Sequence, residues 1–173
     1  MTDDLKIEHP INIIGAGRDQ TFVKGGGFDI QGTKEEGKKV ELKNMTISET
    51  SNCGVYGDNG LSWLCDSLTI TQCGSHGVYA KNTKGRLINC VITQCGQCGI
   101  YCYENALIEL EGSQTKVDGN VTSGSSTHYG LRPSHTSSTI HLLFPLTKES
   151  VSTNNGGAGN YGGGGTIKTV KSF

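Results

Sequence analysis

Between Val40 and Gly60 the chain reads VELKNMTISETSNCGVYGDNG. The same pattern returns as WLCDSLTITQCGSHGVYAKN from Trp63 and as GRLINCVITQCGQCGIYCYEN from Gly85. In register, Ile47, Ile70 and Ile92 coincide, at spacings of 23 and 22 residues. Leu42, Cys65 and Leu87 form a second file, and Met45, Leu68 and Cys90 a third. Gly54, Gly77 and Gly99 then lead into Val55, Val78 and Ile100, and these into Tyr56, Tyr79 and Tyr101. A period of this length, with strand-like alternation and no helical segment, describes one coil of a parallel β-helix. A leucine-rich repeat has a similar length but needs a Leu-x-x-Leu-x-Leu frame, which the chain lacks. One coil cannot bury its own apolar face, so each stacks on its neighbours at about the 4.8 Å strand spacing.

The stacking also accounts for the cysteines. TQCGQCGIYCYEN, from Thr93, gathers Cys95, Cys98 and Cys102 with Cys90 just upstream, as a metal site would. In register, Cys90, Cys95, Cys98 and Cys102 take the places of Leu68, Cys73, His76 and Ala80. Zinc needs four ligands converging on one point, and the nearest such set is Cys73, His76, Cys95 and Cys98 at one corner of two coils. These files hold small and apolar residues, where a free cysteine behaves as a small hydrophobe. Core packing is therefore the reading, and neither metal nor cofactor is expected. Cys73 and Cys95, one coil apart, fall within the Cα separation of a disulfide.

Composition agrees with an all-β chain. Of 173 residues 26 are glycine, and short β-branched runs alternate with Gly, Asn and Ser. A formal net charge of −1 gives no electrostatic reason to expect nucleic acid or an acidic membrane as partner. No apolar run reaches the roughly 18–20 residues of a membrane span. The acidic opening MTDDLKIEHP lacks the basic and then apolar regions of a signal peptide. With seven cysteines, an odd number, it leads to the expectation of reduced thiols in an intracellular compartment. The sequons at Asn44 and Asn120 carry little weight on that expectation.

Single-domain organisation is expected over 1–173, with a repeat core at about 38–106 and longer, irregular coils over 107–165. Leu107 to Leu110 begins a fourth coil, with Tyr129-Gly130 near the expected tyrosine position. Ile140 to Phe144 begins a fifth, with Asn154 to Gly165 as its glycine-rich loop, and Thr166 to Val170 makes a final strand. Ile7 to Ile14 and Phe22 to Ile30 supply about one further coil.

Ile11-Asn-Ile-Ile-Gly-Ala-Gly17, then Thr21-Phe-Val and the Gly25 to Gly27 run, resembles the first coil of pectin-lyase-like right-handed parallel β-helix proteins. Asn44-x-x-Ile47 and Asn89-x-x-Ile92, each leading to a Gly-Val/Ile-Tyr step, carry the same resemblance. It extends over almost the whole chain and is nearest to short β-helix proteins of algae, other protists and their large DNA viruses. It implies the fold, and a place in a virion or at a cell surface. Superfamily relatives include polygalacturonases, pectate lyases and pectin methylesterases, whose chemistry can be sought motif by motif. Gly74-Ser-His76-Gly77 approaches the polygalacturonase Gly-His-Gly element, but the companion Asp-Asp, Asn-Thr-Asp and Arg-Ile-Lys motifs are missing. Calcium-dependent lyases cluster carboxylates, whereas Asp58, Asp66, Glu109 and Glu111 belong to different registers. Arg132-Pro133 is the sole echo of the lyase Arg-x-Pro-x-x-Arg element. No catalytic residue is assigned.

Alternation from the inward Val55, Val78 and Ile100 turns Tyr56, Tyr79 and Tyr101 outward, with Tyr103 near one end and Tyr129 as a continuation. Such a ladder can hold a polysaccharide or a protein, or simply join coils through cross-strand contacts. Asn59, Asn82 and Asn105 mark the next corner, where asparagine suits turn conformations and amide ladders. Glu49, Gln72 and Gln94 form a polar file. Solenoid ends expose strand edges unless covered, so a protein partner or second copy is expected at one end.

The reading is thus a right-handed parallel β-helix of about six coils that acts as a non-catalytic structural or interaction module. Its candidate binding residues are Tyr56, Tyr79, Tyr101 and Tyr103. The alternative is a protein that binds or processes an acidic polysaccharide along the sheet face.

Overall fold

The computed structural model describes residues 3–171. Its first coil holds β1 (Leu5–Ile7), β2 (Asn12–Ile14) and β3 (Phe22–Lys24), and its second β4 (Phe28–Ile30) and β5 (Val40–Ser48). β6 (Val55–Asp58) and β7 (Trp63–Thr71) form the third. β8 (Val78–Lys81), β9 (Lys84–Ile88) and β10 (Val91–Thr93) form the fourth, and β11 (Ile100–Tyr103), β12 (Leu107–Glu111) and β13 (Lys116–Asp118) the fifth. The sixth holds β14 (Tyr129–Pro133), β15 (Thr139–Leu143), a one-turn helix α1 (Lys148–Val151) and β16 (Ser152–Thr153). β17 (Gly159–Tyr161) and β18 (Thr166–Val170) open a seventh.

Every strand pairs in parallel with the strand one coil away, which produces three faces. The first runs β1-β4-β6-β8-β11-β14-β17. The second contains β2, the leading halves of β5 and β7, then β9, β12, β15 and β18. The third contains β3, the trailing halves of β5 and β7, then β10, β13 and β16. The registers Ile47↔Ile70↔Ile92, Leu42↔Cys65↔Leu87 and Val55↔Val78↔Ile100 are those the repeat predicts. These side chains line one continuous core.

The corners explain the polar files. Asn44, Ser67 and Asn89, with φ of 56°, 56° and 49°, bend each coil between the second and third faces. Glu49, Gln72 and Gln94, at 57°, 54° and 56°, bend it between the third and first, and Asn59, Asn82 and Asn105, at 53°, 48° and 43°, between the first and second. A left-handed L-residue costs roughly 1–2 kcal/mol, less for asparagine, whose side chain bonds locally. Hydrogen bonds along the stack offset that strain: Asn82 Nδ2 donates to Asn59 Oδ1 at 3.0 Å, and the Gln72 N–H to Thr93 O at 3.3 Å.

The later coils add two details. Among the described residues the first face carries seven strands, one more than about six coils imply, because the stretch read as a glycine-rich loop contains β17, whose Gly159 and Tyr161 pair with Tyr129 and Leu131. A helical turn also exists. Thr147 caps α1 by accepting the Ser150 N–H at 3.1 Å, while Ser150 Oγ accepts the Thr147 N–H at 3.0 Å, and the turn buries Val151.

Candidate binding face

Tyr56, Tyr79 and Tyr101 stand opposite one another on β6, β8 and β11, outward between buried Val55, Val78 and Ile100 and buried Gly57, Ala80 and Cys102. Ring centroids are 4.8 Å apart at each step, with planes inclined by 29° and 44°. Tyr103 lies two residues on, 6.2 Å from Tyr101. At this spacing the rings cover one another's faces, so the column presents half-buried edges and hydroxyls. Tyr56 donates to Asp58 Oδ2 at 2.9 Å. Burial, and then that bond, hold its phenol above the ordinary range, while burial and the neighbouring Tyr101 push Tyr79 up to about 12. Both remain protonated donors at neutral pH.

Tyr129 does not continue the file. The long excursion between β13 and β14 brings Leu131 opposite Ile100 and so Arg132 opposite Tyr101, with Cζ 5.3 Å from the ring centroid. In the other direction Asp29 stands opposite Tyr56, and Lys6 opposite Asp29. Among the described residues the outward file runs Lys6, Asp29, Tyr56, Tyr79, Tyr101 and Arg132.

His76 packs beneath this file. Its ring stacks on Tyr101 at 4.6 Å and meets Tyr79 edge-on at 5.6 Å, and its Nδ1 accepts the Cys98 N–H at 3.1 Å. That acceptor role assigns the proton to Nε2. Burial first, then His128 and Arg132, lower its pKa to about 3, so it is neutral. The other three members of the suggested metal set point elsewhere. Cys73 and Cys95 enter the core beside Gly54 and Gly77 and donate to Thr71 O and Thr93 O, whereas Cys98 lies beside Arg132. Among the described residues no three His, Cys, Asp or Glu side chains are placed to share a metal ion.

Two polar residues escaped the sequence reading, Asn120 buried and Asn155 half-buried. Asn120 and Asn155 continue the file of Thr50, Cys73 and Cys95, each following a left-handed corner residue, Gly119 or Asn154. Asn120 Oδ1 accepts the Cys95 N–H at 3.1 Å, its Nδ2 donates to Ile92 O at 2.9 Å, and Asn155 Oδ1 accepts the Asn120 N–H at 2.9 Å. The signal available was the Gly-Asn step in place of Gln-Cys.

The second face carries a shallow groove of about 320 Å³, lined in part by Lys38, Lys39, Leu64, Lys84, Arg86 and Glu109. Its carboxylates are engaged by cations: Glu109 with Lys84 at 2.8 Å, Glu41 with Lys43 at 2.6 Å, and Glu111 with Arg86. The hydrogen bond from Lys43 lowers the pKa of Glu41.

A parallel three-faced solenoid with these corners is what one family predicts. Residues 11–144 match the family model described as Right handed beta helix region. The chain belongs to this family. No curated protein and no solved structure matches it. Family membership accounts for the coil and its handedness, while activity has to be argued from side chains. No helix among the described residues is long and apolar enough to cross a membrane.

Proposed function

We propose that the protein is a non-catalytic interaction module, a rigid solenoid that receives a protein partner along its first face. The observation that carries this reading is the outward file from Lys6 through the three tyrosines to Arg132, about 24 Å long at the strand spacing. Tyrosine and arginine contribute most at protein interfaces, through hydroxyl edges and forked donors attached to rigid bodies. Ring faces already stacked on each other suit edge contacts better than sugar stacking. A place in a larger assembly follows the resemblance to algal and viral β-helix proteins. It is supported by the first coil, where Leu5, Ile11, Ile14 and Phe22 are exposed.

A second reading, recognition of an acidic polysaccharide, is favoured by the basic residues of the second-face groove. Both are tested together by offering wild type and Tyr56→Ala/Tyr79→Ala to a glycan array and to in-cell cross-linking, with circular dichroism as fold control. Cross-linked partners lost from the folded variant, with a blank array, support the first reading. Glycan binding that ignores the variant but fails in Lys84→Glu supports the second. Partner capture unchanged by the tyrosine variant sinks the first.

A further inference from the structure

We propose that Arg132 anchors a carboxylate-binding site at the end of the tyrosine file, which rests on the reading of the first face as the binding face. The chain has three arginines. Arg18 donates to the carbonyls of Ser67 and Asn89, and Arg86 pairs with Glu111. Arg132 takes part in none of the ion pairs among the described residues, and its Nε is sealed from solvent without a hydrogen-bond partner. A guanidinium so placed has lost part of its hydration without gaining an oxygen acceptor in the protein, which is unfavourable by itself.

The surroundings preserve its positive charge. Its neighbours are the Tyr101 ring, the His76 and His128 imidazoles and the Cys98 thiol, with no carboxylate among them. Burial first lowers both histidines, followed by His128 and then Arg132 at His76 and by Arg132 at His128, and burial pushes Cys98 up to about 11. All three are therefore neutral, and none neutralises the guanidinium charge. In the file the next position after Arg132 is Gly162, since Leu131 stands opposite Tyr161, and the Tyr129 ring fills the space that a Cβ on Gly162 would take, 2.4 Å from its Cε1. On the flank His128 Nδ1 lies 2.7 Å from Ser125 Oγ and 3.2 Å from Thr127 Oγ1, which holds a hydroxyl-rich loop beside the site. A planar fork beside the Tyr101 and Tyr129 rings fits a planar oxyanion through two parallel N–H bonds, the geometry of carboxylate recognition. The carboxylate can belong to a uronic sugar or to an acidic amino acid.

Titration of the full chain with D-glucuronate, N-acetylglutamate and glucose, followed by the His76 and His128 imidazole NMR signals, tests the site. Saturable shifts with the two acids and none with glucose are expected, at least ten-fold weaker in Arg132→Gln and several-fold weaker in Arg132→Lys. The tighter acid identifies the source of the carboxylate. Shifts that are unsaturable, or equal in wild type and Arg132→Lys, overturn the proposal, and the lysine variant keeps the test decisive should Arg132→Gln fail to fold. Acid binding retained in Tyr56→Ala/Tyr79→Ala, with partner capture also unchanged, would sink the first-face reading and leave the Arg132 site standing.

Discussion

The indole of Trp63 fills the space that Gly85, its neighbour one coil on, leaves without a side chain. A Cβ on Gly85 would fall 2.2 Å from Cζ2 of Trp63, and one on Gly57 would fall 2.2 Å from its Nε1. The largest side chain in the core is thus accommodated by two glycines, across the stack and across the corner. Strand propensity disfavours Gly85, so size is what keeps it there. Gly85→Ala forces either the indole or β9 to shift, at a cost of about 1–3 kcal/mol. Urea denaturation of Gly85→Ala, Trp63→Leu and the double variant measures the coupling. The double variant should be more stable than the sum of the single effects implies, and strict additivity would refute the steric account.

His76 makes the fold acid-sensitive. Its pKa falls from an ordinary 6.5 to about 3 through burial. Between those values the unfolded chain binds a proton that the folded chain does not, so stability rises with pH across that window and declines as pH drops below about 6.5. The slope is at most about 1.4 kcal/mol per pH unit. His128 and His141, lowered chiefly by burial as well, add slopes of the same sign. His76→Gln keeps an acceptor for the Cys98 N–H and removes the titration. Its denaturation midpoint should depend less on pH between 6.5 and 4 than that of wild type, and parallel curves would refute this assignment.

The files Ile47–Ile70–Ile92 and Val55–Val78–Ile100 were legible because each coil repeats an inward apolar residue at nearly constant spacing, and so was the packing role of the cysteines. The register was lost where spacing changed. Ile100 pairs with Leu131, 31 positions on; in a coil lengthened by an irregular loop the Tyr129-Gly130 pair suggests the tyrosine position, whereas Arg132 takes the outward site. The left-handed corners at Glu49, Gln72 and Gln94 were legible only as a polar file, since these residue types have no local preference for positive φ. Asn120 and Asn155 were missed because a buried amide substitutes for a thiol only when its hydrogen bonds are supplied by neighbouring coils, which composition does not reveal.

Oxidation should join Cys73 to Cys95. They occupy successive places in one inward file, each thiol donating to the carbonyl two residues before it (Cys73 to Thr71 O at 3.8 Å, Cys95 to Thr93 O at 3.6 Å), and their proximity lowers the pKa of Cys73 while raising that of Cys95. The thiolate needed for attack is thereby favoured on one partner. Closing a loop of about 22 residues stabilises by about 3 kcal/mol in the chain-entropy account. Because both sulfurs are buried, the reaction should be slow in the native state and faster in low urea. Peptide mapping after treatment with oxidised glutathione should return the Cys73–Cys95 peptide and a raised thermal midpoint. Recovery of both thiols free, or of another pair, would sink the prediction.

Asn120 should be the most sensitive polar residue in the later coils. It is 1% exposed, and its side chain links Cys95, Ile92 and Asn155 across three coils. Asn120→Ala strands the Cys95 N–H away from water, a loss of about 1–3 kcal/mol. The effect should be local as well as global. Asn155 retains Ser152 Oγ, Val117 O and Asn160 Oδ1 as acceptors for its Nδ2, so the seventh coil keeps its own ties. Hydrogen exchange of Asn120→Ala should therefore speed at the Cys95 amide well before it changes in β17. Uniform acceleration along the solenoid would instead mean that the asparagine stack acts as one cooperative unit with the core.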